Sequence, residues 1–109
     1  MRQFITQKLA QQTPRILTAK SQISAAVLVA ITDDHDNPEV ILTRRAKHMP
    51  THKGQIAFPG GKAEDDDKSL IATALREASE EVALRPESVV VVGQMGQVLS
   101  RQGFVVTPV

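Results

Sequence analysis

Residues 54–84 read GQIAFPGGKAEDDDKSLIATALREASEEVAL, and both the fold and the chemistry of the chain turn on them. The stretch opens with a short apolar strand ending at Phe58, and a turn is expected on Pro59, Gly60 and Gly61. An acidic loop follows, in which Asp66 or Asp67 is the expected N-cap of a helix. From there Leu70, Ile71, Ala74, Leu75, Ala78 and Val82 recur at helical spacing, an apolar stripe suited to facing a sheet. The last turns carry Glu77, Glu80 and Glu81, which fall within roughly 100° of one another on such a helix. Like charges three and four residues apart repel by about a few tenths of a kcal/mol per pair. Arg76 offsets part of that through Glu80, four residues on.

On an arbitrary helix such a cluster is a solvated face. Here the context differs. A Gly-Gly turn lets the backbone approach an anion or metal, and the carboxylates lie opposite the apolar stripe. Hard divalent cations such as Mg²⁺ take carboxylate oxygens together with water and substrate phosphate.

Outward from this centre, strands are expected on both sides. ISAAVLVAI at 23–31 is a nearly continuous apolar run, read as a strand buried on both faces. DDHDNP at 33–38 is a turn, and EVILT at 39–43 returns as a strand, so 23–43 form an antiparallel hairpin. RQFITQKLAQQ at 2–12 sets Phe4, Ile5, Leu9 and Ala10 near one helical face, a short docking helix stopped by Thr13-Pro14. Downstream, Pro86 ends the helical region, 88–93 (SVVVVG) is a further strand, 94–103 are loop, and 104–109 begin another strand. Strands interleaved with a central helix indicate an α/β domain with a mixed sheet.

Bulk properties narrow the function classes. A length of 109 residues suits one domain, and a formal charge of +1 gives no footprint for nucleic acid or membrane. Phe4, Phe58 and Phe104 are the whole aromatic complement, too few for a single-strand nucleic-acid reader built on stacking. Cysteine is absent, which removes disulfides, thiolate nucleophiles and zinc–cysteine sites. His48 and His52 are separated by Pro50, against a helical metal-binding pair, and no Walker-type loop occurs. The default is a soluble, cytoplasmic protein with a small-molecule partner.

The arrangement resembles the signature of the Nudix hydrolases, G-x5-E-x7-R-E-U-x-E-E-x-G-U, with U a bulky aliphatic. Its second half matches REASEEVAL at 76–84, with Ala78 where a bulky aliphatic is usual and Ala83 where the pattern has Gly. In the first half, five residues lead from Gly61 to Asp67, which stands in for Glu, and eight rather than seven then precede Arg76. Upstream, LTRRA at 42–46 and HKGQIAFPGG at 52–61 are similar to the coenzyme A diphosphatase branch of that family.

The resemblance implies a single domain over 1–109, with an N-terminal helix at 2–12 and the Nudix box at 61–84. Its fold would be a mixed sheet packed between helices. It implies Mg²⁺ or Mn²⁺ held by Glu77 and Glu81, with Glu80 a further ligand or the residue that orients water. Arg76 would hold these carboxylates in position. Arg45, His52, Lys53, Gln55, Gly60 and Gly61 would bind substrate, the basic residues reading an outer phosphate. The implied reaction is hydrolysis of coenzyme A or a derivative to 3′,5′-ADP and 4′-phosphopantetheine. Alternatives are hydrolysis of ADP-ribose or nucleoside triphosphates, and a non-catalytic nucleotide-binding module. Because FVVTPV at 104–109 is apolar and ends without a polar cap, the domain is expected to be C-terminally incomplete. Self-association as a homo-oligomer, or weak activity, would follow from apolar sheet left uncovered.

Overall fold

Two apolar runs far apart in the chain, 23–27 and 104–108, meet as parallel neighbours at the centre of a sheet. The computed structural model describes residues 2–12, 23–44, 54–100 and 103–109. In chain order the elements are α1 (Arg2–Gln11), β1 (Ile23–Val27), β2 (Thr43–Arg44), β3 (Ile56–Ala57), β4 (Gly60–Lys62) and α2 (Leu70–Val82). A 3₁₀ turn at Pro86–Ser88, β5 (Val98–Leu99) and β6 (Phe104–Pro108) follow. The main sheet has the order β4-β1-β6-β5, and β2 and β3 form a separate antiparallel pair. Only β1 and β6 run parallel in the main sheet, so it is mixed, as expected.

Helix α2 lies against β1 and β4. The contact is made by small residues: Ala26, Ala74 and Ala78 are fully buried, and Leu28 and Val109 complete the cluster. Leu70, Ile71, Leu75 and Val82 pack around it, so all six positions of the predicted stripe are used. Ala78, small where the family pattern is bulky, lets α2 approach the sheet closely.

Several expectations are corrected. Gly60 and Gly61 are strand residues rather than a turn, and Gly60 sits opposite Val27 of β1. A Cβ on Gly60 would strike the Ala26 carbonyl oxygen and lie 2.7 Å from Val27 Cα, so glycine is what lets β4 close on β1. The N-cap of α2 is Ser69, whose Oγ accepts from the Ala72 N–H at 3.1 Å, because Asp67 is engaged elsewhere. Beyond Val82, Ala83 takes a left-handed φ of 57°, which explains why the pattern has Gly there.

The strand expected over 23–31 ends at Val27. Past it the chain still donates, from Leu28 N to Pro59 O and from Val29 N to Val109 O, both 2.8 Å, but its partners change. The hairpin survives as an Ile31–Val40 bridge, with Asp34 Oδ1 accepting from the Asp36 and Asn37 amides in the turn. Residues 39–43 are not a continuous strand, since β2 pairs with β3 instead. Residues 88–93 are not a strand either. Among the described residues no strand pairs with them, and high β-propensity without a partner does not make a strand. They line a cavity of about 480 Å³ under α1, with Ile5, Leu9 and Leu28. On α1, Ile5 and Leu9 are half-buried, but Phe4 is exposed, against the expected four-residue face. Within the expected loop 94–103, Val98 and Leu99 form the edge strand.

Candidate active site

Thr73, Arg76, Glu77 and Glu80 recur at three- and four-residue steps on α2, so they share a stripe beside the apolar one. Arg76 is the hub. Its Nε donates to Asp67 Oδ1 at 3.0 Å and its Nη2 to Asp67 Oδ2 at 3.1 Å, a two-pronged pairing. Nη2 also donates to the Lys62 carbonyl of β4 at 3.1 Å. Nη1 donates to Glu77 Oε1 at 3.0 Å and Glu80 Oε1 at 3.3 Å, and Glu64 Oε1 lies 3.5 Å away. The guanidinium therefore ties the acidic loop, the glycine strand and the carboxylate cluster together. These contacts hold Asp67 well below the usual carboxylate range, first through Arg76, then through the Glu64 N–H and the Thr73 hydroxyl. Asp67 in turn raises Arg76 above its ordinary value, with Glu77 and Glu80 adding.

Glu77 and Glu81, one turn apart, present their carboxyls to each other. The Glu81 carboxyl is pushed up to about 7, first by desolvation, then by its hydrogen bond to Glu77 and the charge of that group. Glu80 adds to the rise, and the Gly60 N–H, donating to Glu81, opposes it. Gly61 sets the other wall: a Cβ there would lie 2.6 Å from the Glu77 carboxyl carbon. The glycines thus serve close approach, though from a strand.

Of the predicted site residues, Arg76, Glu77, Glu80, Glu81, Gly60 and Gly61 come together. Glu80 is turned toward Arg76, with 59% of its side chain exposed. Among the described residues no three acidic or histidine side chains converge on one point. Gln55 is exposed just before β3, and Arg45, His52 and Lys53 lie outside the described residues. The sequence offers Asp67 as an N-cap and as the stand-in for the pattern's Glu, but neither its pairing with Arg76 nor a role for Thr73 was expected from it. The signal for Thr73 was a hydroxyl three residues before Arg76, six after the acid that replaces the pattern's Glu.

Residues 22–108 match the NUDIX domain model. The chain belongs to the NUDIX domain family. It is similar to the uncharacterized Nudix hydrolase NudL of Pectobacterium atrosepticum, with 49% identity over 106 residues, 97% of this chain and 55% of that protein. The NudL protein of Yersinia enterocolitica is 48% identical over 98% of this chain and 54% of its own length. The chain thus spans about half the length of the curated relatives it matches. Among solved structures, the NUDIX domain of Shewanella oneidensis NrtR, complexed with ADP ribose, is similar with a TM-score of 0.60 and 25% identity. That match covers 94% of this chain and 68% of that one.

A NUDIX domain implies a divalent cation, and the residues present fit one. Glu77 and Glu81 face each other where Gly61 leaves room beside the Glu77 carboxyl, and burial first, then the neighbouring Glu77, pushes the Glu81 carboxyl up to about 7, an environment that a cation would relieve. Two protein carboxylates are also the usual complement for Mg²⁺, which keeps waters and takes phosphate oxygens for its remaining positions.

Proposed function

We propose that this NUDIX domain hydrolyses a diphosphate linkage in a nucleoside diphosphate compound, with coenzyme A or a derivative as substrate. The observation that carries the reading is the Glu77–Glu81 carboxyl pair, with Glu77 against Gly61 and Glu81 accepting from the Gly60 N–H of β4, and with Glu77 braced by Arg76. A divalent cation bound there would neutralise the diphosphate and activate water for in-line attack on phosphorus. The chain's own residues supply the frame. Glu77 and Glu81 hold oxygen atoms toward the cation, Gly60 and Gly61 keep side chains out of its way, and Glu80 is exposed where it can orient water.

Coenzyme A is favoured by the upstream segments. The pairing of β2 with β3 sets Thr43 opposite Ala57 and Arg44 opposite Ile56, so the two motif segments resembling the coenzyme A branch run side by side. Their cations Arg45 and Lys53, with His52 next to Lys53 in sequence, would read the 3′-phosphate. A second reading, hydrolysis of ADP-ribose, is favoured by the likeness to a NUDIX domain complexed with that compound.

Coenzyme A, dephospho-coenzyme A, ADP-ribose and deoxynucleoside triphosphates, each offered with Mg²⁺ and with Mn²⁺ and followed by product chromatography, separate the readings. Release of 3′,5′-ADP, with coenzyme A preferred over its dephospho form, is the expected result. Equal or better cleavage of ADP-ribose removes the coenzyme A assignment. Tight calorimetric binding with no product under either metal makes the domain a binding module.

A further inference from the structure

The acidic loop of the Nudix box is one residue longer than the family pattern and carries an acid one methylene shorter. Asp67 reaches less far than Glu, and its orientation depends on the donors that come to it. Its Oδ2 accepts from Thr73 Oγ1 at 2.8 Å and from the Glu64 N–H at 2.9 Å, besides Arg76 Nη2. Thr73 is fully buried, while 8% of the Asp67 side chain is exposed. The hydroxyl has a single proton and two acceptors in reach, Asp67 Oδ2 at 2.8 Å and Ser69 O at 3.2 Å. The charged and nearer acceptor is the stronger one.

We propose that Thr73 is a positioning residue for the metal-holding carboxyls. Its buried hydroxyl fixes Asp67, Asp67 fixes the plane of the Arg76 guanidinium, and Arg76 Nη1 sets the orientation of Glu77 Oε1. The inference rests on the reading that Glu77 and Glu81 hold a divalent cation. In this chain a helix hydroxyl completes the work that a longer acid would do by reach.

The test compares the parent protein with Thr73→Val, Thr73→Ser and Ser69→Ala. Mn²⁺ affinity is measured by calorimetry, and proton exchange at Arg76 Nε by ¹⁵N NMR on metal-free protein. Thr73→Val removes the donor and keeps the branched shape, so Mn²⁺ affinity falls about 10-fold, the lower end for partners of metal ligands. Arg76 Nε exchange quickens in the same variant. Thr73→Ser keeps the hydroxyl and restores both readouts. Ser69→Ala removes the cap bond to the Ala72 N–H, lowers the melting temperature and leaves Mn²⁺ affinity unchanged.

If Thr73→Val does not fold, Thr73→Ala takes its place, since Ala74 and Ala78 show that small side chains pack on this helix. Parental Mn²⁺ affinity and parental Nε exchange in the donor-free variant overturn the inference. So does a Ser69→Ala protein that loses Mn²⁺ affinity equally, because the effect then runs through the helix cap. A parent protein that binds no Mn²⁺ overturns the site reading itself, and this inference with it.

Discussion

On one flank of the core, Arg76 makes five hydrogen bonds, to Asp67, Glu77, Glu80 and the Lys62 carbonyl, with no partner more than 14 residues away in sequence. On the other, α1 stands over a cavity of about 480 Å³ lined by residues as distant as Leu9, Leu28 and Val91, and Val90 is 64% exposed. The first flank is closed by polar bonds that its own local sequence supplies. The second depends on apolar side chains brought together from far apart, and they fill it incompletely. On the proposed function, chemistry and stability should therefore be separable in this domain. Changes around Arg76 should alter turnover more than folding, and changes around the cavity should do the reverse.

The largest effect should come from the carboxyl pair. Glu77→Gln or Glu81→Gln should reduce turnover by more than about 100-fold, above the range for residues that only support a metal ligand. The melting curve of either variant should stay in place or move up, because repulsion on the helix is relieved. Circular dichroism beside a hydrolysis assay reads both, and near-parental hydrolysis in either variant breaks the assignment.

Arg76→Lys comes next. It keeps the charge but loses the fork that grips both oxygens of Asp67, so turnover should drop about 10- to 100-fold. Full activity would mean that charge alone braces the site.

Proton competition should be weaker still. The Glu81 carboxyl titrates at about 7 against its usual 4.5, so the metal-free folded chain holds an extra proton between those values. Its stability contribution is present below 4.5 and is lost as pH rises through about 7. A cation competes with that proton, so affinity for Mn²⁺ should rise through pH 7 and level off above it. Asp67 works in the opposite direction. Its carboxyl lies below its usual 3.8, so its contribution is present above that value and is lost only in stronger acid. Calorimetry between pH 5.5 and about 8.5 checks the rise, and a flat profile would show that no proton on Glu81 competes with the cation in this range.

On the cavity flank, Leu9→Ala should lower stability by about 1 kcal/mol, below the 2–5 typical of a fully buried leucine, because Leu9 is only half-buried and already borders empty space. Turnover should not change. A Leu9→Ala protein that melts normally yet loses activity would join the two flanks that the structure separates.

The same contrast governs what the sequence made legible. The α2 stripe was readable because Leu70, Ile71, Ala74, Leu75, Ala78 and Val82 sit on one face whatever surrounds them. The Glu77–Glu80–Glu81 cluster followed from the same helical period, and the mixed α/β sheet from the alternation of elements. Local competition hid the cap: three successive aspartates and Ser69 are all good N-caps, and Arg76 withdraws Asp67 from the contest. Gly60 and Gly61 read as a turn because their reason for being glycine, the approach of Ala26 and Glu77, lies across the fold. Val89–Val92 read as a strand because β-branching marks propensity, and a strand also needs a neighbour.

The central claim is that Glu77 and Glu81 jointly hold the divalent cation. Mn²⁺ titration at pH 8, followed by electron paramagnetic resonance on the parent, Glu77→Gln and Glu81→Gln proteins, tests it most directly. A bound Mn²⁺ in the parent, lost in both variants while their melting curves are retained, is the predicted result. Undiminished Mn²⁺ binding in either variant would contradict it.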